Sequence, residues 1–389
     1  MNDIRHPHRN IRWAMPKAKP RLRGAIIAAA LLVAGAAHAL PLYSIIDLGT
    51  LGGGLSVATG INNSGQVVGW STTLGNMTRR ATLFSGTGSG NTDLGSLEGS
   101  LSQANGINNA GQIVGWAQTP GSGILRATLF SGTGSGNTNL CSLGGGEAKA
   151  INNAGQVVAT CSTAPQGAVL ISGSGNTSLG GLDGIYGRAI AINDAGQVVG
   201  YADTAGNAAR RATLFSGTGS NNINLGTLGG TYSEATGINN AGQVVGAAST
   251  AVNGAYRATL FSGTGSGNTD LGTLGGGYSH ATGINNAGQV VGSAYTAGNA
   301  AEEAFVWSAG GGMLGLNDLI DPLAGWSLRL ANAINDRGQI AGVGVHNGVE
   351  RAFLMTLVPT SNNVPEPGTL ALLGVGLMAL VARRKRVAA

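Results

Sequence analysis

Charged and aromatic residues are scarce in this chain, at 10% and 5% of its 389 residues. The formal net charge of +5 comes from the two ends, because residues 1–39 hold seven bases and residues 383–386 hold four. Between them lie 11 bases and, Glu366 aside, 15 acids. A protein that binds nucleic acid needs a basic stripe to neutralise phosphates. This composition therefore argues against a nucleic-acid partner.

The chain also has few groups for catalysis or metal binding. An enzyme needs a nucleophile, an acid or base and a charge-stabilising group that converge on one place. The body has two histidines, His280 and His346, and neither has the spacing of a metal ligand. His280 occupies a position that varies among the internal repeats described below. We therefore predict no catalytic residue, no metal and no cofactor.

Cysteine is nearly absent, since the chain holds only Cys141 and Cys161. An even number of cysteines in an exported protein favours a disulfide. The sequence therefore suggests that these two residues pair.

Glycine is abundant, with 69 residues, and much of it recurs within one repeated unit. Its core reads Ile-Asn-(Asn/Asp)-x-Gly-Gln-(Val/Ile)-(Val/Ala)-(Gly/Ala). Successive copies start 46, 44, 41, 46, 46 and 50 residues apart. The first isoleucines of the seven copies are Ile61, Ile107, Ile151, Ile192, Ile238, Ile284 and Ile334.

Each unit of about 46 residues reads as four short strands separated by Gly/Asn turns, the length of a β-propeller blade. We predict an all-β fold, a seven-bladed β-propeller over residues 40–359. The chain begins with a strand typical of the fourth position, Tyr43 to Gly49, and ends with one typical of the third, Arg351 to Val358. The N-terminal strand would then complete the last blade and close the ring. A β-solenoid is the alternative, but it gives no reason for these offset ends.

The Asn-Asn-x-Gly segment of each unit predicts a hairpin turn, since Asn and Gly tolerate the positive φ of tight turns. Calcium binding is the other interpretation of such pairs. Calcium takes about 6–8 oxygen ligands, several of them carboxylates, and most copies offer neutral amides. Turn chemistry is therefore the interpretation we favour.

Residues 1–39 have the pattern of a secretory signal peptide. A basic stretch precedes a short apolar run, and Ala37-His38-Ala39 forms the small-residue cleavage site, so we predict cleavage before Leu40. An uncleaved anchor helix is the alternative, but spanning a membrane needs about 20 apolar residues. Translation from Met15 instead of Met1 would give a basic region of more ordinary length.

The C-terminal segment, residues 360–389, predicts a membrane-inserted helix. Val364-Pro365-Glu366-Pro367 precedes an apolar run over residues 368–382, and Arg383, Arg384, Lys385 and Arg386 follow. Bases next to a membrane segment stay on the cytoplasmic side, which agrees with export of the body. These three parts in this order resemble the PEP-CTERM sorting signal of Gram-negative bacteria. The resemblance implies an exosortase-type processing enzyme as partner, cleavage near Pro365-Glu366-Pro367 and a setting of exopolysaccharide or biofilm. A plain tail anchor would explain the helix and the bases but not the Pro-Glu-Pro.

The repeated unit resembles the HAF family of extracellular repeats over residues 43–357. Asp-Leu-Gly-Thr-Leu-Gly-Gly and the Ile-Asn-Asn core carry the resemblance, and the Ala-Phe pair is present at Ala304-Phe305 and Ala352-Phe353. Earlier copies depart from that pair and read Ala-Thr-Leu-Phe. The resemblance implies no catalytic residues.

We therefore expect an exported, non-enzymatic repeat protein. It would be held in the inner membrane by residues 368–382 and then displayed at the cell surface or released, where exopolysaccharide is a candidate ligand. The rival hypothesis is a glycan-active hydrolase or lyase on a propeller. It predicts carboxylates or histidines that converge at one channel mouth and break the seven-fold pattern. The off-pattern candidates are Asp183, Arg188, Asp318, Asp321 and Trp326. A structural surface protein without a ligand is the third possibility.

Overall fold

A computed structural model of the chain describes residues 42–121, 123–141, 144–162, 167–217, 221–251 and 254–359. These residues form seven four-stranded antiparallel sheets, numbered here as blades 1 to 7 in chain order. Blade 1 holds β2 (Gly52–Ile61), β3 (Val67–Thr73), β4 (Arg79–Phe84) and β5 (Thr92–Asp93); blade 2 holds β6 (Ser102–Ile107), β7 (Ile113–Gln118), β8 (Leu125–Phe130) and β9 (Thr138–Asn139); blade 3 holds β10 (Gly146–Ile151), β11 (Val157–Cys161), β12 (Gly167–Ser172) and β13 (Gly175–Ser178); blade 4 holds β14 (Asp183–Ile192), β15 (Val198–Thr204), β16 (Arg210–Phe215) and β17 (Ile223–Asn224); blade 5 holds β18 (Gly229–Ile238), β19 (Val244–Thr250), β20 (Tyr256–Phe261) and β21 (Thr269–Asp270); blade 6 holds β22 (Gly275–Ile284), β23 (Val290–Thr296), β24 (Glu302–Ser308) and β25 (Gly312–Gly315); blade 7 holds β26 (Trp326–Ile334), β27 (Ile340–His346), β28 (Val349–Leu357) and β1 (Tyr43–Asp47).

The N-terminal strand closes the ring, as the sequence predicted. β1 pairs antiparallel with β28 and is the outermost strand of blade 7, with Tyr43 opposite Leu357 and Asp47 opposite Phe353. The backbone N–H of Val358 donates to the carbonyl of Leu42 at 2.9 Å. The described chain is therefore an all-β, seven-bladed β-propeller in which the first strand and the last blade cover each other's open edges.

The hydrophobic core consists of seven clusters, each between two adjacent blades. Between blades 1 and 2, for example, Val68, Ala81 and Leu94 pack against Ala104 and Phe130. The alanines at the centres of the sheets have no exposed surface, and their small side chains let neighbouring sheets approach closely. The core is thus a product of the repeat, because one blade alone cannot bury both of its faces.

The first strand of each blade lines a central channel, and a tight hairpin joins it to the second strand. In blade 1 the backbone N–H of Gly65 donates to the carbonyl of Asn62 at 3.0 Å, and Gly65 takes a φ of +86°. The glycine alone supplies the positive φ of this turn, because the two asparagines keep negative values. This part of the turn prediction was wrong, and the asparagines have a different task.

Five short 3-10 turns complete the described structure, at Leu74–Asn76, Ala205–Asn207, Ala297–Asn299, Leu316–Leu319 and Pro322–Ala324. Within the residues that the structure describes, no helix is long and apolar enough to cross a membrane. The predicted C-terminal helix, residues 368–382, lies outside the described residues, as does the predicted signal peptide.

Candidate functional site

The hairpins meet around the axis in a closed ring of buried asparagines. Each asparagine side chain donates from Nδ2 to the backbone carbonyl of its equivalent in the next blade at 3.0–3.1 Å. The asparagine of blade 7 donates to that of blade 1, so the circle is complete. The members of the ring, all 3–4% exposed, are Asn62, Asn108, Asn152, Asn193, Asn239, Asn285 and Asn335.

Each ring asparagine also holds its own hairpin together. Its Nδ2 donates to the Oε1 of the glutamine four residues later at 2.7–2.8 Å. Its Oδ1 accepts from the backbone N–H of that glutamine at 2.9–3.0 Å. The asparagine therefore recurs in the repeat because it joins blades as well as shaping a turn.

A second ring surrounds the axis one residue further along the chain. Here each backbone N–H donates to the side-chain oxygen of the equivalent residue in the next blade at 2.8–3.0 Å. We call these two rings the asparagine end of the channel. The members of the second ring are Asn63, Asn109, Asn153, Asp194, Asn240, Asn286 and Asp336.

The two aspartates of the second ring each accept from the amides on both sides. Asp194 accepts from the side chains of Asn153 and Asn240, both at 2.9 Å. Burial alone would raise the pKa of Asp194, but these hydrogen bonds outweigh it and lower the pKa. A pocket of about 160 Å³ is lined by both rings and by the isoleucine that precedes each asparagine of the first ring. Among the described residues no group of three or more His, Cys, Asp or Glu could hold a metal ion.

The next layer of the channel repeats in five of the seven blades. There a Thr or Asn side chain donates to a carbonyl of the following blade's first strand at 2.6–2.8 Å, as Thr59 does to Ala104 and Asn105 to Ala148. Blades 3 and 4 instead carry Lys149 and Ile190 at this position. The inter-blade bonding of this layer is therefore interrupted at two adjacent blades.

The layer beyond it follows no pattern, since its seven positions hold six residue types. We call it, with the residues around it, the open mouth of the channel. It contains His280, whose position the sequence marked as variable. The seven residues at this position are Val57, Gln103, Glu147, Arg188, Glu234, His280 and Leu330.

Charged side chains of the open mouth pair across neighbouring blades. Glu147 accepts from Lys149 at 2.6 Å and from Arg188 of blade 4 at 2.7 Å. Burial lowers the pKa of Lys149, the charge and hydrogen bond of Glu147 oppose that effect, and the charge of Arg188 adds to it. Arg79 of blade 1 donates to Gln103 of blade 2. These contacts link blades 1 to 2 and 3 to 4 at this end.

A second network joins blades 4, 5 and 6. The hydroxyl of Tyr232 donates to Glu234 at 2.6 Å, and His280 Nε2 lies 3.0 Å from the same carboxylate. Burial alone would raise the pKa of Glu234, but hydrogen bonds from His280 and Tyr232 and the charges of His280 and Arg210 outweigh it, so the pKa is lowered. Burial and the Glu234 carboxylate together raise the pKa of Tyr232. Glu234 is therefore ionised at neutral pH.

Aromatic rings border the open mouth. The guanidinium of Arg79 lies 4.0 Å from the ring centre of Trp70, and that of Arg210 lies 4.3 Å from the ring centre of Tyr201. Tyr186 is 45% exposed. Between blades 3 and 4, Tyr186, Tyr201 and Arg210 line a pocket of about 420 Å³. Rings beside charged and hydroxyl groups can bind a polar organic ligand.

Of the five off-pattern candidates, the structure brings only Arg188 to this pocket. Asp183 lies at the start of β14, Asp318 lies in a 3-10 turn, and Asp321 caps the next turn through the backbone N–H of Leu323. Trp326 stacks on His346, 4.4 Å between ring centres, and His346 Nδ1 lies 2.8 Å from Asp47. The sequence reading missed Glu147, Glu234 and Tyr186. For the two glutamates the signal is the variability of the position two residues before the Thr/Asn layer, and Tyr186 lies two residues before that position in blade 4.

The structure joins Cys141 to Cys161 through a disulfide, with Cα atoms 5.8 Å apart. Cys141 follows the outer strand of blade 2 and Cys161 ends β11, so the bond crosslinks blades 2 and 3. In blades 1, 2, 4 and 5 an asparagine such as Asn91 instead donates to carbonyls of the preceding blade at 2.8 Å. Blade 3 has a short loop, Gly173 and Ser174, in place of the longer one that ends in this asparagine.

The remaining predicted site residues lie outside the described residues. They are Ala37, Ala39, Leu40, Val364, Pro365, Glu366, Pro367, Arg383, Arg384, Lys385 and Arg386.

Residues 363–386 match the PEP-CTERM protein-sorting motif. The match covers the Val-Pro-Glu-Pro segment, the apolar run and the final bases, and it confirms the sorting signal read from the sequence. Such a motif implies exosortase-dependent export and sorting to the cell envelope. Comparison with curated proteins finds no match for this chain.

Proposed function

We propose that this protein is a non-enzymatic, glycan-binding propeller that is exported and sorted to the cell surface or the extracellular matrix. One observation carries the proposal: the channel layer that departs from the repeat gathers charged and aromatic side chains at one mouth. A purely structural ring has no need of such a layer, because the asparagine end already joins all seven blades.

The sorting part of the proposal extends the PEP-CTERM match at residues 363–386. Residues 1–39 act as a signal peptide, residues 368–382 hold the protein in the inner membrane, and an exosortase-type enzyme removes the tail near Pro365-Glu366-Pro367. The repeats belong with the HAF type, as the Ile-Asn-Asn core and the Asp-Leu-Gly-Thr-Leu-Gly-Gly segment suggest. Mass spectrometry of the protein from its host tests this. We expect a species that starts at Leu40 and lacks the apolar tail, whereas an intact C-terminus in the membrane fraction would make it a plain tail-anchored protein.

Exopolysaccharide is the ligand class that the open mouth suits best. A sugar ring has an apolar face that packs on an aromatic side chain and hydroxyls that bond to charged and polar groups. The pocket between blades 3 and 4 offers both, with Tyr186 and Tyr201 beside Glu147, Arg188 and Arg210. At about 420 Å³ it falls within the usual range of small-ligand sites, about 300–1,000 Å³.

A glycan-active enzyme is the second candidate, and the structure gives it one supporting feature. Glu147, Glu234 and His280 lie in one layer of the channel mouth and break the seven-fold pattern, and Glu234 and His280 are in contact. However, a general acid needs a raised pKa at neutral pH, and the pKa of Glu234 is lowered. Glu147 is held by two cations, Lys149 and Arg188. Both carboxylates are thus placed to orient their neighbours, which favours binding over turnover.

The experiment is to incubate the purified full chain with exopolysaccharide from its host, and to measure co-sedimentation and the release of reducing ends and unsaturated products. We expect co-sedimentation without release. Release that Glu234→Gln or Glu147→Gln abolishes would establish the enzyme instead. Absence of both binding and release would leave a structural surface protein.

A further inference from the structure

Blades 3 and 4 both depart from the repeat in the channel, and in blade 3 two of the departures remove bulk. Gly145 of blade 3 takes the position at which the neighbouring blades carry Leu101 and Tyr186. Gly146 takes the position of Ser102, whose hydroxyl in blade 2 accepts from the backbone N–H of Ala81. The Thr/Asn layer is also interrupted at these two blades. Space therefore opens between blades 3 and 4, where the pocket of about 420 Å³ lies.

Two polar atoms beside this pocket have no hydrogen-bond partner in the part of the chain that the structure describes. They are Nε of Arg188 and Oγ1 of Thr160, and both are buried. Arg188 donates from Nη2 to Glu147, which leaves its Nε–H free to donate. A buried polar group without a partner destabilises the protein unless water or a ligand satisfies it. Both residues line the pocket, so a ligand that enters it lies next to an unpartnered donor and an unpartnered hydroxyl.

The charge of the pocket is positive. Its lining holds two guanidinium groups, Arg188 and Arg210, and one carboxylate, Glu147. Arg210 also pairs with Asp203 at 3.3 Å and Lys149 pairs with Glu147, so this group of ion pairs holds three bases and two acids. Glu147 is shared by Arg188 and Lys149, so it neutralises neither of them fully. Guanidinium groups bind carboxylates through parallel charge-assisted hydrogen bonds. An anionic ligand is therefore favoured over a neutral one.

Two aromatic rings complete the lining. Tyr186 is 45% exposed, and Tyr201 lies under the guanidinium of Arg210 at 4.3 Å. The stacked guanidinium is held as a flat surface next to the pocket. A flat, partly apolar ring with a carboxylate on its edge matches these groups better than an inorganic anion does.

We infer that this pocket binds a uronate residue of a polysaccharide. Its carboxylate would accept from Arg188 and Arg210, its ring would pack on Tyr186, and a hydroxyl would bond to Thr160. This inference rests on the proposed glycan-binding function and names its ligand class. It concerns binding alone, so no bond is formed or broken.

The test is isothermal titration calorimetry of the full chain with oligogalacturonate, with its methyl ester as the neutral match and with free galacturonate. We expect the acid oligomer to bind at least about tenfold more tightly than the ester, since charge-assisted hydrogen bonds contribute about that much. Free galacturonate should bind more weakly than the oligomer. Raising the salt concentration should weaken binding of the acid and leave that of the ester unchanged.

Adjacent arginines provide the matched control. Arg210→Gln and Arg188→Gln should each lose at least about tenfold in affinity for the acid oligomer. Arg211→Gln should not, because Arg211 donates to the carbonyl of Thr231 and does not line the pocket. Tyr186→Ala should weaken acid and ester alike, and as an exposed residue it should leave the fold intact. A circular dichroism melt of each variant checks this.

The outcomes separate this inference from the proposed function. Equal affinity for acid and ester, or equal loss in Arg211→Gln and Arg210→Gln, would overturn the uronate inference and leave glycan binding in place. No binding of any host or test glycan would overturn both. Binding of free galacturonate as tight as that of the oligomer would show a small-molecule site and contradict a polysaccharide ligand.

Discussion

The two ends of the channel differ in how closely they follow the repeat. At the asparagine end, both rings are complete in all seven blades. One layer further, five blades still bond to their neighbours, and at the open mouth the seven positions hold six different residue types. The seven-fold pattern thus fades along the axis. One end has a structural task that every blade must perform, and the other is free to hold a site that only some blades need.

The largest expected effect concerns the asparagine end. Asn108→Ala removes a buried amide that bonds to its own hairpin and to blade 3, and should lower the free energy of unfolding by about 3 kcal/mol. The matched control is Gln103→Ala, which removes an amide from the open mouth of the same blade. It should cost about 1 kcal/mol, because the groups it leaves can reach water. Urea unfolding of both variants measures this, and equal losses would contradict the assignment of structural roles to the asparagine end.

The disulfide is expected to have the next largest effect. Cys141 and Cys161 enclose a 20-residue separation, so loss of the bond in a Cys141→Ser/Cys161→Ser variant should lower the free energy of unfolding by about 3 kcal/mol or less. Hydrogen exchange should rise in β10 and β11 and stay low in the hairpins of the asparagine rings. Adding a reducing agent should not change the free energy of unfolding of the double variant, because it has no disulfide to reduce. Loss of protection throughout the ring would contradict a local role for the bond.

A smaller effect is expected from pH at the open mouth. The folded-state pKa of Glu234 is lowered, so its contribution to stability is present above its unfolded pKa of about 4.3 and is lost as pH falls through the folded value. Glu234→Gln should therefore melt at a lower temperature than wild type at pH 7, and the gap should narrow as the pH falls below about 4. Asp194→Asn, at the other end, serves for comparison, since the pKa of Asp194 is lowered as well. A gap for Glu234→Gln that widens on acidification would contradict the carboxylate's bonding to His280 and Tyr232.

The smallest effect concerns orientation at the membrane. The last strand ends at the asparagine end, where Gln339 donates to Thr356 at 3.2 Å. If residues 368–382 hold the unprocessed protein in the membrane, that end should face the membrane and the open mouth should face outward. A bulky maleimide should therefore label Ala205→Cys, in an exposed turn on the open side, faster than Ala110→Cys in an exposed hairpin of the asparagine end. The reverse order in intact envelopes, with equal rates for the released protein, would contradict this orientation.

The architecture could be predicted from the sequence because it depends on features that repeat. The length of the repeat predicts a propeller blade. The strands at the two ends, Tyr43 to Gly49 and Arg351 to Val358, predict how the ring closes. The backbone role of Asp47, Asp93 and Asp270 also follows from their exchange with Asn in other repeats. Each of these carboxylates accepts from the glycine N–H two residues later at 2.8 Å. Hydrogen bonds between residues close together in the sequence could thus be predicted.

The contacts between repeats could not be predicted in the same way. In the sequence Asn62 looks like a turn residue only. Its bond to the next blade is hidden, because its partner Asn108 lies 46 residues away and is itself a turn residue. Asp183, Asp318 and Asp321 are rare in the repeat, but they lie in turns or at strand ends. No motif distinguishes Glu147, and His280 stands out only because its position varies among the repeats; both matter because that strand position faces the axis. Departure from a repeat indicates a site only where that position lines the channel.

The most direct test of the central claim is hydrogen exchange of the full chain with and without acidic fragments of its host's exopolysaccharide. The account predicts that bound glycan slows exchange in β10 and in the start of β14, around Glu147 and Arg188, and leaves the hairpins of Asn62 and its equivalents unchanged. Slowed exchange at the asparagine end, with none at the open mouth, would contradict the division of tasks between the two ends.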